Sequence, residues 1–332
     1  MTSTSHDVAK MAGVSQSTVS RALRGVPGIA PETVAKVRAA AAALSYIPSE
    51  AGRSLSTRQA RCIGVFTAEL TNPFYPALVE PMRNRLEQLG FRTLLLTEPD
   101  RAGAAENLPQ GLVDGAIITT AHLGSPLPTS LRARKIPFVL VNRSVDGIEC
   151  DRSTVDNVAG GRVAAEFIAN LGHRGVAAIF GPGDTSTGRD RELGFRLGLT
   201  ERAVVMTDRH IRRGPFAFEN GYQNALSLLD DSDPPTAIFC GNDVIALGAL
   251  NAARARGLRA GIDLTIVGFD DIAMASWELV NLTTVKCDLT AMAQTAADLM
   301  VQRIADPQAP YREETLHPRI VERGSHHRPA PM

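Results

Sequence analysis

The sequence predicts a small all-α head followed by a larger α/β core. Three observations predict it. Residues 1–60 show three helical patterns separated by short turns and no strand pattern. From residue 61 onward, apolar runs of strand length alternate with helical segments. A chain of 332 residues also exceeds what one domain ordinarily holds.

The head builds from its N-terminus. In "TSHD", Thr4 and Asp7 form a capping box for a first helix through Val8, Met11 and Ala12, with Asp7 at the positive helix end. Gly13 breaks that helix, and Ser15 is placed to cap a second in which Val19, Ala22 and Leu23 share a face. On its other side Gln16, Ser17, Ser20, Arg21 and Arg24 form a continuous polar stripe. Helix, glycine turn and helix are the geometry that lays a second helix in a DNA major groove. That geometry assigns Gln16, Ser17 and Arg21 to base edges, and Ser15, Thr18 and Ser20 to phosphates. A solvated face on a helical hairpin carries the same stripe, so the pattern alone leaves both readings open. Residues 1–60 hold seven basic and three acidic side chains, a net +4 balanced by −4 in the rest of the chain, which suits a polyanion. A third helix starts with Pro31 at its first position and turns Val34, Val37 and Leu44 inward.

In the core, "CIGVFT", "RTLLLT", "GAIIT", "PFVLVN", "GVAAIF", "TAIFCG" and "LTIVGF" read as strands. Helical segments at Pro73–Leu89, Val155–Leu171 and Asp243–Arg256 lie between them, the pattern of parallel sheets. Two such sets of similar size, with crossings near Asp156 and Thr284, predict two Rossmann-like subdomains facing a cleft, with ligands at the strand C-termini. The expected division is a head at 1–47, a connecting segment at 48–60, a core at 61–325 and a tail at 324–332. Within the core, 61–156 with 286–306 form one subdomain, and 157–285 with 307–323 the other.

Composition narrows the function classes. No apolar run is long enough to span a bilayer, and "MTSTSHDVAK" lacks the apolar stretch of an export leader, so a cytoplasmic protein is expected. Cys62, Cys150, Cys240 and Cys287 are far apart in sequence and have no zinc-like spacing, so neither a disulfide scaffold nor a metal site is expected. "GPGDTSTGRD" imitates a phosphate loop at Gly183 and Gly188, but Arg189 and Asp190 stand where Lys and Ser/Thr are required. With no nucleophile elbow and no zinc-protease motif, neither an enzyme nor a cofactor is expected. His173 is read as a cation closing a helix C-terminus, and the tail "SHHRPAPM" as disordered.

The stretch Asp7 to Gly25, "DVAKMAGVSQSTVSRALRG", resembles the head of the lactose/galactose repressor (LacI/GalR) family, whose pattern DVAxxAGVSxxTVSRxLxG it follows. Core motifs recur in that family's order: "NPFY" at Asn72, "VDNVAGG" at Val155, "RELGF" at Arg191, "GND" at Gly241 and "VGFDD" at Val267. The resemblance implies a core of periplasmic-binding-protein type and a ligand-responsive repressor. Such a protein works as a homodimer, or a further assembly of dimers, on a near-palindromic operator. It adds Arg24 and Thr33 to the phosphate contacts and makes 48–60 a hinge whose Leu55 wedges into the minor groove. It also assigns effector contacts to Phe74, Tyr75, Asn142, Arg191, Phe216, Asn242 and Asp270. Those side chains suit a sugar, polyol or nucleoside: Asp270 accepts from adjacent hydroxyls, Arg191 and Asn242 donate, and a Phe ring covers an apolar face. The sequence departs from the family at Ser5, at Ala30 where a capping Ser is usual, and at Gly52 in the hinge. The rival reading is a sugar-binding receptor of periplasmic-binding type with no role in gene regulation. The missing leader and the helix-turn-helix speak against it.

Overall fold

A computed structural model describes residues 3–23, 25–46, 60–67, 70–97, 105 and 108–329, and it divides into two compact units, 1–60 and 61–332. Among its described residues the first unit has three helices: α1 (Ser5–Ala12), α2 (Gln16–Leu23) and α3 (Pro31–Ala43). The capping box forms as expected, with Thr4 Oγ1 accepting from Asp7 N at 3.4 Å and Asp7 Oδ2 accepting from Thr4 N at 2.8 Å. Gly13 takes the left-handed conformation, at φ 66°, that closes α1. Ser15 Oγ accepts from Thr18 N at 3.1 Å and so caps α2. Ala30 gives α3 no side-chain cap, and Pro31 opens it. The head core is a small cluster of Val8, Val19, Ala22 and Val37 with neighbouring alanines, and Val34 and Leu44 pack against it.

The second unit is built from two six-stranded sheets. The first contains β1 (Cys62–Phe66), β2 (Arg92–Leu96), β3 (Gly115–Ile118), β4 (Phe138–Val141), β5 (Asp151–Val155) and β11 (Glu313–Leu316), in the order β11-β5-β4-β3-β1-β2, all parallel. The second contains β6 (Val176–Phe180), β7 (Ile211–Arg213), β8 (Ala237–Cys240), β9 (Thr265–Asp270), β10 (Thr283–Lys286) and β12 (Arg319–Val321), in the order β12-β10-β9-β8-β6-β7. Among the described residues only β12 is antiparallel to its neighbour. The helices are α4 (Phe74–Gln88), α5 (Leu127–Ala133), α6 (Asn157–Asn170), α7 (Ser186–Glu201), α8 (Phe218–Leu229), α9 (Asp243–Ala255) and α10 (Leu289–Ala305). Central strands such as β6 and β9 are buried along their whole length, which is why they read as unbroken apolar runs. Among the described residues no helix is long and apolar enough to cross a membrane.

The structure departs from the expected division in one place. Residues 307–323 do not all join the second subdomain, because β11 pairs with β5 in the first sheet and only β12 reaches the second. The cause is a buried ion pair. Arg303 Nε meets Asp151 Oδ2 at 2.7 Å, Arg303 also donates to the carbonyls of Pro307, Ala309 and Pro310, and Asp151 Oδ1 accepts from Arg312 N. These contacts fold the chain leaving α10 back along β5. The chain therefore crosses a third time, at His317 and Pro318.

The tail and His173 also need correction. Ser325 Oγ donates to Ile266 O at 2.7 Å and accepts from Thr283 N at 2.8 Å, so this part of the tail is packed against the second sheet and is not disordered. His173 is fully buried, with Nδ1 against Thr236 Oγ1 and Nε2 against Thr265 Oγ1, both at 2.9 Å, and His327 O at 3.0 Å. Burial lowers its pKa to about 4, so it is a neutral imidazole and not a helix-end cation.

Candidate DNA-binding helix and ligand cleft

On the head, α2 turns Val19 and Ala22 into the core and leaves Gln16, Ser17 and Arg21 exposed on one side. Gln16 Nε2 donates to Ser5 Oγ at 2.7 Å, so the polar residue at position 5 steadies a side chain of the stripe. Among the described residues Arg21 makes one long contact, 3.5 Å, to Pro27 O. Ser15 is exposed, and Thr18 and Ser20 on α2 and Thr33 in the first turn of α3 are half-buried. Arg24 and Leu55, with nearly all of the hinge, lie outside the described residues.

In the core, a small cavity lies where the two sheets face each other. All the effector residues expected from sequence line it: Phe74, Tyr75 and Asn142 from the first subdomain, and Arg191, Phe216, Asn242 and Asp270 from the second. Asn72, Arg143 and Thr187 complete the lining and were not foreseen. Two of the three had a local signal. Asn72 begins "NPFY", where its Oδ1 accepts from Phe74 N at 3.0 Å. Thr187 sits in the stretch that imitates a phosphate loop. That stretch is the start of α7, where Thr185 Oγ1 accepts from Gly188 N at 3.1 Å; a Cβ at Gly188 would fall 2.0 Å from Pro182 O. Its glycine thus serves a tight helix entry.

Each polar residue is held by the backbone around it. Asn242 caps α9, its Oδ1 accepting from Ile245 N at 2.9 Å. Asp270 ends β9 at φ 119° and Asn142 follows β4 at φ 69°, left-handed conformations that non-glycine residues rarely adopt. Asp243 supports the turn at Asp270 from beneath, accepting from Ile272 N and from Thr284 Oγ1, both within the buried interior. Arg191 extends from α7, which is pressed onto α6 so closely that a Cβ at Gly194 would lie 2.0 Å from Val158 O.

The centre of the site is the pair Arg191 and Asp270, Nη2 to Oδ1 at 3.0 Å, with the two side chains 5% and 4% exposed. Arg191 also donates from Nε to Asn157 Oδ1 at 2.9 Å and from Nη1 to Gly241 O at 2.8 Å, and its guanidinium lies 3.7 Å over the Phe269 ring. Burial raises the Asp270 carboxyl to about 6 despite the opposing pull of Arg191. Asp270 Oδ1 meets Arg191 without an aligned hydrogen bond, which leaves it acceptor capacity for a ligand donor.

The cavity is closed down. Its volume is about 20 Å³, room for about one water molecule. Contacts between the subdomains hold it: Asn72 Nδ2 to Phe216 O at 3.2 Å, Leu123 N to Asp184 O at 2.8 Å, and Ser144 N to Ser186 Oγ at 2.9 Å. A sugar-sized ligand therefore requires the sheets to part.

A helix-turn-helix head with an exposed polar recognition face, followed by two sheets that enclose a polar cleft, defines a ligand-responsive DNA-binding regulator. Residues 4–49 match the model of bacterial regulatory proteins of the lacI family, and residues 165–326 that of a periplasmic binding protein-like domain. The HTH-type transcriptional repressor PurR of Salmonella typhimurium is 32% identical over 327 residues, spanning 96% of this chain and 95% of that protein. The lac repressor dimer bound to operator and an anti-inducer superposes with a TM-score of 0.88 at 29% identity, covering 98% of this chain and all of that one. The transcriptional regulator CelR in complex with cellobiose gives 0.75 at 28% identity, covering 97% and 99%. The chain belongs to the lacI family of transcriptional regulators, and the reading as a receptor without a regulatory role is set aside.

Proposed function

We propose that this protein is a cytoplasmic, non-enzymatic repressor that binds a near-palindromic operator as a dimer and releases or engages it in response to a small polar metabolite in the cleft. Gln16, Ser17 and Arg21 read bases. Ser15, Thr18, Ser20, Arg24 and Thr33 contact phosphates, and Leu55 in the hinge enters the minor groove. The metabolite is a polyhydroxy molecule held by Asp270, Arg191 and Asn242, with Phe74 or Phe216 on its apolar face. The operator-bound and cellobiose-bound relatives support both halves of this reading. The observation that carries it is the convergence of polar residues from both sheets on one cavity, because a ligand touching both can bias their relative rotation.

The test starts from a pool of random-sequence duplexes selected on the purified protein. The expected result is an enriched site with two-fold symmetry, to which Arg21→Ala binds about 1–3 kcal/mol more weakly. Enrichment that survives Arg21→Ala unchanged removes α2 from base reading. A panel of sugars, polyols and nucleosides is then titrated into the operator complex, followed by fluorescence anisotropy. A ligand whose effect persists unchanged in both Asn242→Ala and Asp270→Asn places the effector outside the cleft.

A further inference from the structure

The cleft holds two arginines and one carboxylate. Arg191 is matched by Asp270. Arg143 comes from the other subdomain, and its side chain is treated differently. It is 7% exposed and lines the cavity. Its Nη1 donates to Thr120 O at 3.1 Å and its Nη2 to Tyr75 Oη at 3.3 Å, while Nε is buried with no hydrogen-bond partner. Its guanidinium lies 5.8 Å from the Phe216 ring centre, on the roof of the same cavity. Among the described residues no carboxylate forms an ion pair with it. The other acidic groups nearby are engaged: Asp146 meets Arg189 at 2.8 Å, and Asp271 is bound to Arg323 and Lys286. Asp243, beneath Asp270, has both oxygens engaged, by Ile272 N and Thr284 Oγ1.

A buried guanidinium hydrogen-bonded only to neutral oxygens is costly, because no carboxylate touches it: Asp270 feels its charge across the cavity but is held by Arg191. A neutral sugar leaves that cost in place. A ligand bearing a phosphate or a carboxylate removes it and takes up the free donor, since an arginine fork matches either group.

We propose that the effector of this protein is an anionic polyol, a sugar phosphate or sugar acid, whose charged group sits on Arg143 while its hydroxyls face Asp270 and Asn242. The proposal deepens the cleft reading above and rests on it. The division of labour follows from geometry, because Asp270 would repel an anion placed at the Arg191 end. The charged group therefore engages the first subdomain and the hydroxyls the second, so one ligand ties both halves together.

Isothermal titration calorimetry of the full-length protein against matched probes tests it: glucose, glucose 6-phosphate and gluconate; ribose and ribose 5-phosphate; and inorganic phosphate. At least one charged member should bind about tenfold or more tighter than its neutral parent, the size of one charged hydrogen bond. That preference should collapse in Arg143→Gln, which keeps donors for Thr120 and Tyr75, and recover in part in Arg143→Lys. Melting of each unliganded variant reports folding separately. Inorganic phosphate binding as tightly as the esters, and as sensitively to Arg143→Gln, keeps the anion site and assigns it to the free ion. Neutral and charged probes binding alike, a preference that survives Arg143→Gln, or no binding by any anion overturns the proposal. Neutral binding lost in Asn242→Ala with no preference for charge leaves the cleft reading standing and rejects only the anion.

Discussion

The head and the core place their functional residues in opposite settings. On α2 the base-reading candidates are exposed and contribute almost nothing to the head's small core of valines and alanines. In the cleft the corresponding side chains are buried and knitted into the fold: Asn142, Arg191, Asn242 and Asp270 are all under one-tenth exposed. A recognition surface for a rigid duplex can be added to a finished helix. A site that must enclose a small polar molecule has to be built from the interior. Substitutions in the head should therefore separate binding from stability, and substitutions in the cleft should not.

The largest expected effect challenges that contrast most directly. Arg191→Ala leaves Asp270 buried without its partner and should destabilise the core by about 3–5 kcal/mol, read as a lowered urea midpoint. A core as stable as the wild type would show the cleft to be as separable as α2.

His173 should also make the core sensitive to acid. His173 is neutral in the folded protein with a pKa near 4, and it takes up a proton at its ordinary value of about 6.5 when unfolded. At this site the unfolded chain therefore binds more protons between these values, and the stability that His173 contributes is lost as the pH drops from about 6.5 to 4. The loss is on the order of 3 kcal/mol, and lowering of the His327 pKa by burial adds in the same direction. The raised Asp270 carboxyl acts in the opposite direction, in the wild type and in His173→Gln alike. Melting curves across that range should therefore show the variant losing less, or gaining more, stability on acidification than the wild type. An unaltered slope in that variant would remove His173 as its source.

The smallest effect belongs to the head. Thr4→Ala removes the α1 cap and should cost about 1 kcal/mol of head stability while leaving the core transition in place, measured by hydrogen exchange of α1 amides against those of β6. A matching loss in β6 would mean that the two units melt as one.

What could be read in advance follows from how local each cause is. The head was legible because caps, turns and the stripe on α2 are set by residues within a few positions of one another. The cleft contacts were legible through short motifs at strand ends. Arg143 was hidden although it follows Asn142 directly, because only the tertiary arrangement leaves its charge unmatched. β5 was hidden because "DRSTV" reads as polar, and its Asp151 is tolerable in the interior only through Arg303, far along the chain. His173 misled for the same reason: its partners arrive from β8, β9 and the tail. The buried polar groups whose partners are distant in sequence are the ones that local reasoning misassigned.

The placement of β11 and β12 on different sheets has a consequence for shortened forms of the chain. Only His317 and Pro318 separate the two strands, so a stop codon anywhere before residue 313 would strip an edge strand from both sheets at once. Two newly bared strand edges, β5 on one side and β10 on the other, would offer unpaired backbone to neighbouring molecules. Late nonsense mutations should therefore yield insoluble protein, and not a head still competent to occupy DNA.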